Sequence, residues 1–167
     1  MDEKKMLQAL NRRLTGLRAD ILREHVLFGR LLLRLKNRFA NCGTACTDME
    51  CIAFDPEFAN RLSDGELKFV YLHELMHCVL RHCTRGKGKN HYVYNIACDI
   101  VVNSLLLQML YLPSFRIDGS EVMHLAPNGK EGREHSAEEV YQMLIQMPTD
   151  ALNQLYGLEG LDNHGLW

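Results

Sequence analysis

Two histidines and a glutamate fall within five residues at His73-Glu74-Leu75-Met76-His77. Histidines four apart on an α-helix differ by roughly 40° in azimuth and about 6 Å in height, so both imidazoles can reach one point. Neutral imidazole nitrogen binds zinc at about 2.0–2.1 Å, and three protein ligands leave a fourth position for water. Glu74 is turned by roughly 100° from His73, which sets its carboxylate beside an ion and not on it. From there it can take a proton from the bound water. The chemistry this pattern supports is metal-assisted hydrolysis, with one zinc ion on His73 and His77 and with Glu74 as general base.

A third ligand is required. His82 extends the pattern to His73-x3-His77-x4-His82. In a continuous helix, however, it lies roughly 140° from the face of His77, and no glycine intervenes to break the helix. It reads as a helper at the side of the site or as a cation at the helix C-terminus. Asp99 is better placed. It belongs to an almost wholly apolar stretch, Tyr94 to Leu107, whose polar exceptions Asn95, Asp99 and Asn103 recur every four residues and stack on one helical face. A carboxylate in such surroundings needs a cation or a donor. The competing reading pairs Asp99 with Arg81 or makes it a loop cap. Asn95 and Asn103 then orient ligands or loop backbone, or simply bond between helices. His91, Tyr92 and Tyr94 are candidates to face the cleft and stabilise an oxyanion. His124, His135 and His164 read as surface histidines, and Cys78 and Cys98 as small core thiols.

The elements that must position these groups follow from hydropathy and punctuation. Met6, Leu7, Leu10, Leu14, Leu17 and Ile21 have helical spacing, as do Phe28, Leu31, Leu32, Leu35 and Phe39 in a second run over Val26 to Phe39. These predict one bent helix or a pair. Thr44 to Phe54 predicts a β-hairpin turning near Asp48 to Glu50 and ended by Asp55-Pro56. Ser63-Asp64-Gly65-Glu66 is a capping box, so the helix bearing the histidines starts there and runs to about Cys83, closed by Gly86 and Gly88. The Asp99 helix spans about Val93 to Leu110. Ser114 to Glu134 predicts a long loop, Ser136-Ala137-Glu138-Glu139 caps a helix to about Met147, and the tail to Trp167 is irregular.

Composition narrows the alternatives. The chain has 167 residues and a formal net charge of -2, with acids and bases interspersed. That suits one ordinary domain over 1–167 and argues against nucleic acid or an anionic membrane as partner. The basic cluster Arg81 to Lys89 reads as a solvated loop. The N-terminus has no apolar signal core and no run approaches the ~18 apolar residues of a membrane span, which predicts a cytoplasmic protein. In that compartment the six cysteines are free thiols.

The pattern His73-Glu-Leu-Met-His77-x4-His82 with Asn95-Ile-Ala-Cys-Asp99-x3-Asn103 resembles the putative metallopeptidase domain family found N-terminal to a von Willebrand factor A-like domain. The resemblance takes in Thr44-Ala-Cys-Thr47, Asp55-Pro-Glu-Phe58, Leu62 to Phe69, Ser136 to Tyr141 and Asp162 to Trp167. It implies a zincin-like α+β fold, mostly helical with a small sheet beside the active-site helix. It also implies zinc on His73 and His77, a catalytic Glu74 and an adjoining von Willebrand-type domain, so the chain reads as a fragment or a shortened member. The expected substrate is a peptide or protein, bound along a sheet edge as an added strand. Two other classes stay open. One is a non-catalytic zinc module serving an adjoining interaction domain, which a buried fourth ligand such as His82 or Cys98 would favour. The other is a metal-dependent hydrolase of non-peptide substrates.

Overall fold

The apolar spacing of the first twenty residues produces helix α1, Glu3–Glu24, which buries Leu10, Leu14, Leu17 and Ile21 along one stripe. The structure is a computed structural model that describes residues 3–156. Among these residues the chain forms two compact units, one up to Val79 and one from Leu80. The fold is α+β and mostly helical, as the sequence predicts.

In the first unit, His25 leaves helical geometry (φ -137°, ψ 76°) and separates α1 from α2, Val26–Leu32. The pair is therefore two helices. The second is shorter than its apolar pattern suggests, because Lys36–Phe39 is not helical but forms strand β1. β1 pairs in parallel with β3, Cys51–Phe54, and β3 pairs antiparallel with β2, Ala45–Thr47. Pairing with β3 overrides the helical spacing of Leu35 and Phe39. The predicted hairpin is present. Its turn rests on Met49 at φ 74° and on the Asp48 carboxylate, which accepts from Glu50 N at 2.9 Å and Cys51 N at 2.8 Å.

Asp55-Pro56 ends the hairpin and also starts a helix the sequence reading missed, α3, Pro56–Arg61. Asp55 is its N-cap, accepting from Glu57 N and Phe58 N, and Pro56 stands at the first helical position, where a missing N–H costs nothing. Helix α4, Asp64–Val79, follows. The Ser63–Glu66 box closes as expected: Glu66 Oε2 accepts from Ser63 N at 2.7 Å and Ser63 Oγ accepts from Glu66 N at 3.3 Å. The α4 helix ends earlier than predicted. Arg81 adopts a left-handed conformation (φ 56°), which stops α4 without a glycine and lets a separate turn, α5, His82–Arg85, begin.

In the second unit, Asn90 caps α6, His91–Met109, through its side chain on Val93 N at 3.1 Å. By length and composition α6 alone among the described helices is apolar enough to cross a membrane, which corrects the expectation that no segment approaches that limit. Its most apolar window is 72% buried within the protein, as expected of a core helix. The predicted long loop contains a small hairpin, β4 Arg116–Ile117 with β5 Ser120–Glu121, and a 3-10 turn at Gly132–Glu134. Ser136 caps α7, Ala137–Ile145, with both bonds of its box formed. The tail is not irregular throughout, since Thr149–Tyr156 forms α8. His164 and the Asp162 to Trp167 motif lie outside the described residues.

Candidate metal centre

The middle of α4 is buried on all sides: Phe69 to Leu75 is an unbroken buried run. Such a helix is held from several directions. Tyr71 donates to Asn37 Oδ1 at 3.0 Å and packs edge-on against Phe54, with centroids 4.8 Å apart. Arg18 donates to the same Asn37 oxygen and to the Leu35 carbonyl, and its burial lowers its pKa. Thr47 Oγ1 lies 3.2 Å from Cys78 Sγ and ties β2 to the last turn of α4.

On this fixed helix, His73 and His77 meet. Their Nε2 atoms are 2.9 Å apart and their ring centroids 4.6 Å apart. Only 7% of His73 and none of His77 is exposed, and Glu74 between them is 1% exposed. Burying three ionisable groups in adjacent turns is costly unless something binds their charge and lone pairs. The thiol of Cys46, on β2, is pushed up by burial, by its contact with Cys42 and by the negative charge of Glu74. Burial likewise raises Cys78, with Glu74 adding to it. Neither thiol belongs to the group of side chains that could hold a metal ion.

In the second unit, α6 presents Asn95, Asp99 and Asn103 one turn apart. Asp99 and Asn103 are 5% and 6% exposed. Asn103 donates to the Met123 carbonyl at 2.9 Å, so it holds loop backbone to the helix. Asn95 Oδ1 is buried without a hydrogen-bond partner. One residue past Asn103, Ser104 donates to Glu131 at 2.7 Å, and Glu131 also meets Arg133 at 2.8 Å and His124 at 3.3 Å. These bonds depress the Glu131 carboxyl, the Ser104 hydroxyl most of all. Burial, followed by the Asp99 charge, raises the Cys98 thiol.

Among the described residues one group could hold a metal ion: His73, His77 and Asp99, all buried, each offering one ligand atom within 4.8 Å of the others. Two nitrogens bound to one tetrahedral zinc stand about 3.3 Å apart, so the 2.9 Å between the imidazoles needs only a few tenths of an ångström of adjustment. Two imidazoles and a carboxylate are a donor set suited to a divalent transition metal. The residues fit.

The remaining candidates are placed elsewhere. His82 is buried on α5 with its ring edge-on to Tyr94 at 6.4 Å, and it does not belong to the group. His82 does not continue α4, because the left-handed Arg81 (φ 56°) intervenes. His91 is exposed in the first turn of α6. Tyr94 is buried and donates to Glu138 at 3.1 Å. His135 lies against Asn128. The sequence reading missed Ser104, Glu131 and Arg133, which latch the loop onto α6. No periodic signal marks them, because Glu131 precedes and Arg133 lies within a single 3-10 turn, too short to show a period.

No curated protein and no solved structure matches this chain. A family described as "Putative metallopeptidase domain" does match it, over residues 10–160. That span includes both helices bearing the His-His-Asp group, and the chain belongs to this family.

Proposed function

We propose that this chain is a zinc-dependent peptidase in which His73, His77 and Asp99 hold one zinc ion and Glu74 acts as general base. The buried His-His-Asp group carries the reading. Zinc, when bound, supplies Lewis acidity, lowering the pKa of water and polarising a carbonyl. The chain's own groups do the rest. Asp99 brings the negative charge that two neutral imidazoles lack. Glu74 Oε accepts the proton of the attacking water and delivers it to the leaving nitrogen. The burial of Glu74 keeps that carboxylate out of bulk water, where its basicity would be spent on solvent. Thr47, Asn37 and Asn103 fix the helices that carry these groups. The free thiols favour a reducing compartment, the cytoplasm.

Elemental analysis of the purified chain, combined with cleavage of a peptide library by wild type and Glu74→Gln, tests this. The reading expects one zinc per chain in both proteins. It expects cleavage to fall by about 10²–10⁴-fold in the variant, the usual worth of a general base. Equal activity in both would overturn it. A second reading, a closed non-catalytic zinc module, draws on the burial of all four residues. It expects one bound ion and no cleavage by either protein.

A further inference from the structure

The outward face of α2 has no task in the chemistry above. Val26, Leu27 and Leu33 are 55%, 67% and 62% exposed, and Arg30 and Arg34 are exposed among them. Leu33 keeps helical geometry (φ -62°, ψ -18°), so the helical path continues past the last turn. At about 100° per residue these five side chains fall within an arc of roughly 120°. Gly29 and Leu32, on the opposite side, are buried. This is an amphipathic pattern turned inside out, with the solvent face apolar and cationic and carrying no acid.

Two further observations make it a prepared surface. The nearest acids on α1 are committed elsewhere: Asp20 pairs with Arg23, and Glu24 with Lys68 at 2.7 Å. Arg30 and Arg34 have no ion pair among the described residues. The helix is also seated tightly. A Cβ at Gly29 would come within 2.2 Å of the Leu22 Cα, so only glycine allows α2 to approach α1 this closely. The face is held in place before anything binds to it.

We infer that this face docks an acidic amphipathic helix of a partner protein, whose aliphatic side chains cover Val26, Leu27 and Leu33 while its carboxylates meet Arg30 and Arg34. Charge selects the occupant. A second copy docking through the same face would set arginine against arginine across the two-fold axis. A bilayer is disfavoured because two cations and three aliphatic side chains, with no exposed aromatic anchor among them, are too few to hold a domain at a membrane. A helix that presents leucines at i, i+3 and i+7 flanked by glutamates matches both the stripe and its charge.

The test uses the full chain and a fluorescein-labelled synthetic helix of about four turns with that leucine and glutamate pattern, read by anisotropy. A second peptide has lysine in place of each glutamate. The acidic peptide is expected to bind, the lysine peptide to bind at least tenfold more weakly, and higher salt to weaken the acidic one. Arg30→Glu with Arg34→Glu, and separately Leu27→Glu with Leu33→Glu, should each weaken the acidic peptide at least tenfold. Circular dichroism must match wild type, and the arginine pair, being fully surface-borne, keeps the test valid if the leucine pair unfolds. The inference is overturned if the acidic peptide fails to bind at concentrations up to about 1 mM, or if both peptides bind alike. It is also overturned if the variants bind like wild type, if phosphatidylserine vesicles bind the chain more tightly than the peptide does, or if light scattering shows a dimer that Leu27→Glu with Leu33→Glu abolishes.

Discussion

Gly132→Ala should destabilise the second unit by pressing on the backbone beside Asp99. Gly132 opens the 3-10 turn and is buried, donating to the His124 carbonyl at 2.8 Å. A Cβ there would lie 2.4 Å from the Ile100 carbonyl oxygen and 2.8 Å from both the Ile100 carbonyl carbon and Cγ2. Relief needs a displacement of about 1 Å, and the opposing atoms are mostly helix backbone, which cannot rotate aside. Overpacking of this kind costs about 1–3 kcal/mol, and backbone opposition places this case at the upper end. In a chain of this size each kcal/mol moves Tm by about 2–4 °C, so about 2–3 kcal/mol gives an expected fall of roughly 4–12 °C. Thermal unfolding followed by circular dichroism, with chelator present so that metal does not contribute, reads it. Gly65→Ala is the control. Nothing lies within 4 Å of its Cβ and it sits in the first turn of α4, so it should be neutral or stabilise by up to about 1 kcal/mol. A Gly132→Ala protein that melts within about 1 °C of wild type would refute the close approach of the turn to α6.

Other residues give further tests. Tyr111 closes α6 in a left-handed conformation (φ 55°) that usually takes glycine, and the residue is 94% exposed, so it recovers almost nothing by burial. Tyr111→Gly should therefore raise stability by about 0.5–1 kcal/mol in urea unfolding, and a loss would show that the ring has a contact. Asp55→Ala removes the cap that accepts from Glu57 N, Phe58 N and Gly43 N and should cost about 1–2 kcal/mol in the same assay, whereas an unchanged midpoint would deny the cap any role. The folded Glu131 carboxyl titrates below its ordinary value of 4.5. Its stabilisation is therefore complete above that value and is lost as pH falls through the lower folded one. Glu131→Gln should flatten the acid limb of urea midpoint against pH, and an identical limb in both proteins would contradict the latch.

The helix bearing His73 and His77 was legible because its signals are local. The capping box at Ser63, the apolar spacing and the four-residue step from His73 to His77 all sit on one element. Asp99 was legible for a different reason: a carboxylate in so apolar a helix needs a partner wherever that partner comes from. β1 was not legible, because Leu35 and Phe39 satisfy a helical period and only pairing with β3, twelve or more residues away, makes Lys36–Phe39 a strand. Nor was the end of α4, since Arg81 takes a backbone conformation that no sequence rule assigns to arginine. The latch of Ser104, Glu131 and Arg133 depends on a tertiary fold of irregular chain, which periodicity does not reach.

The central claim is a single metal ion held by His73, His77 and Asp99, and isothermal titration of the chelator-stripped chain with zinc tests it most directly. Wild type should bind one equivalent. His73→Ala and His77→Ala should each abolish that binding, Asp99→Ala should weaken it at least tenfold, and Glu74→Gln should retain it. Undiminished binding of one equivalent by His73→Ala and His77→Ala would contradict the account.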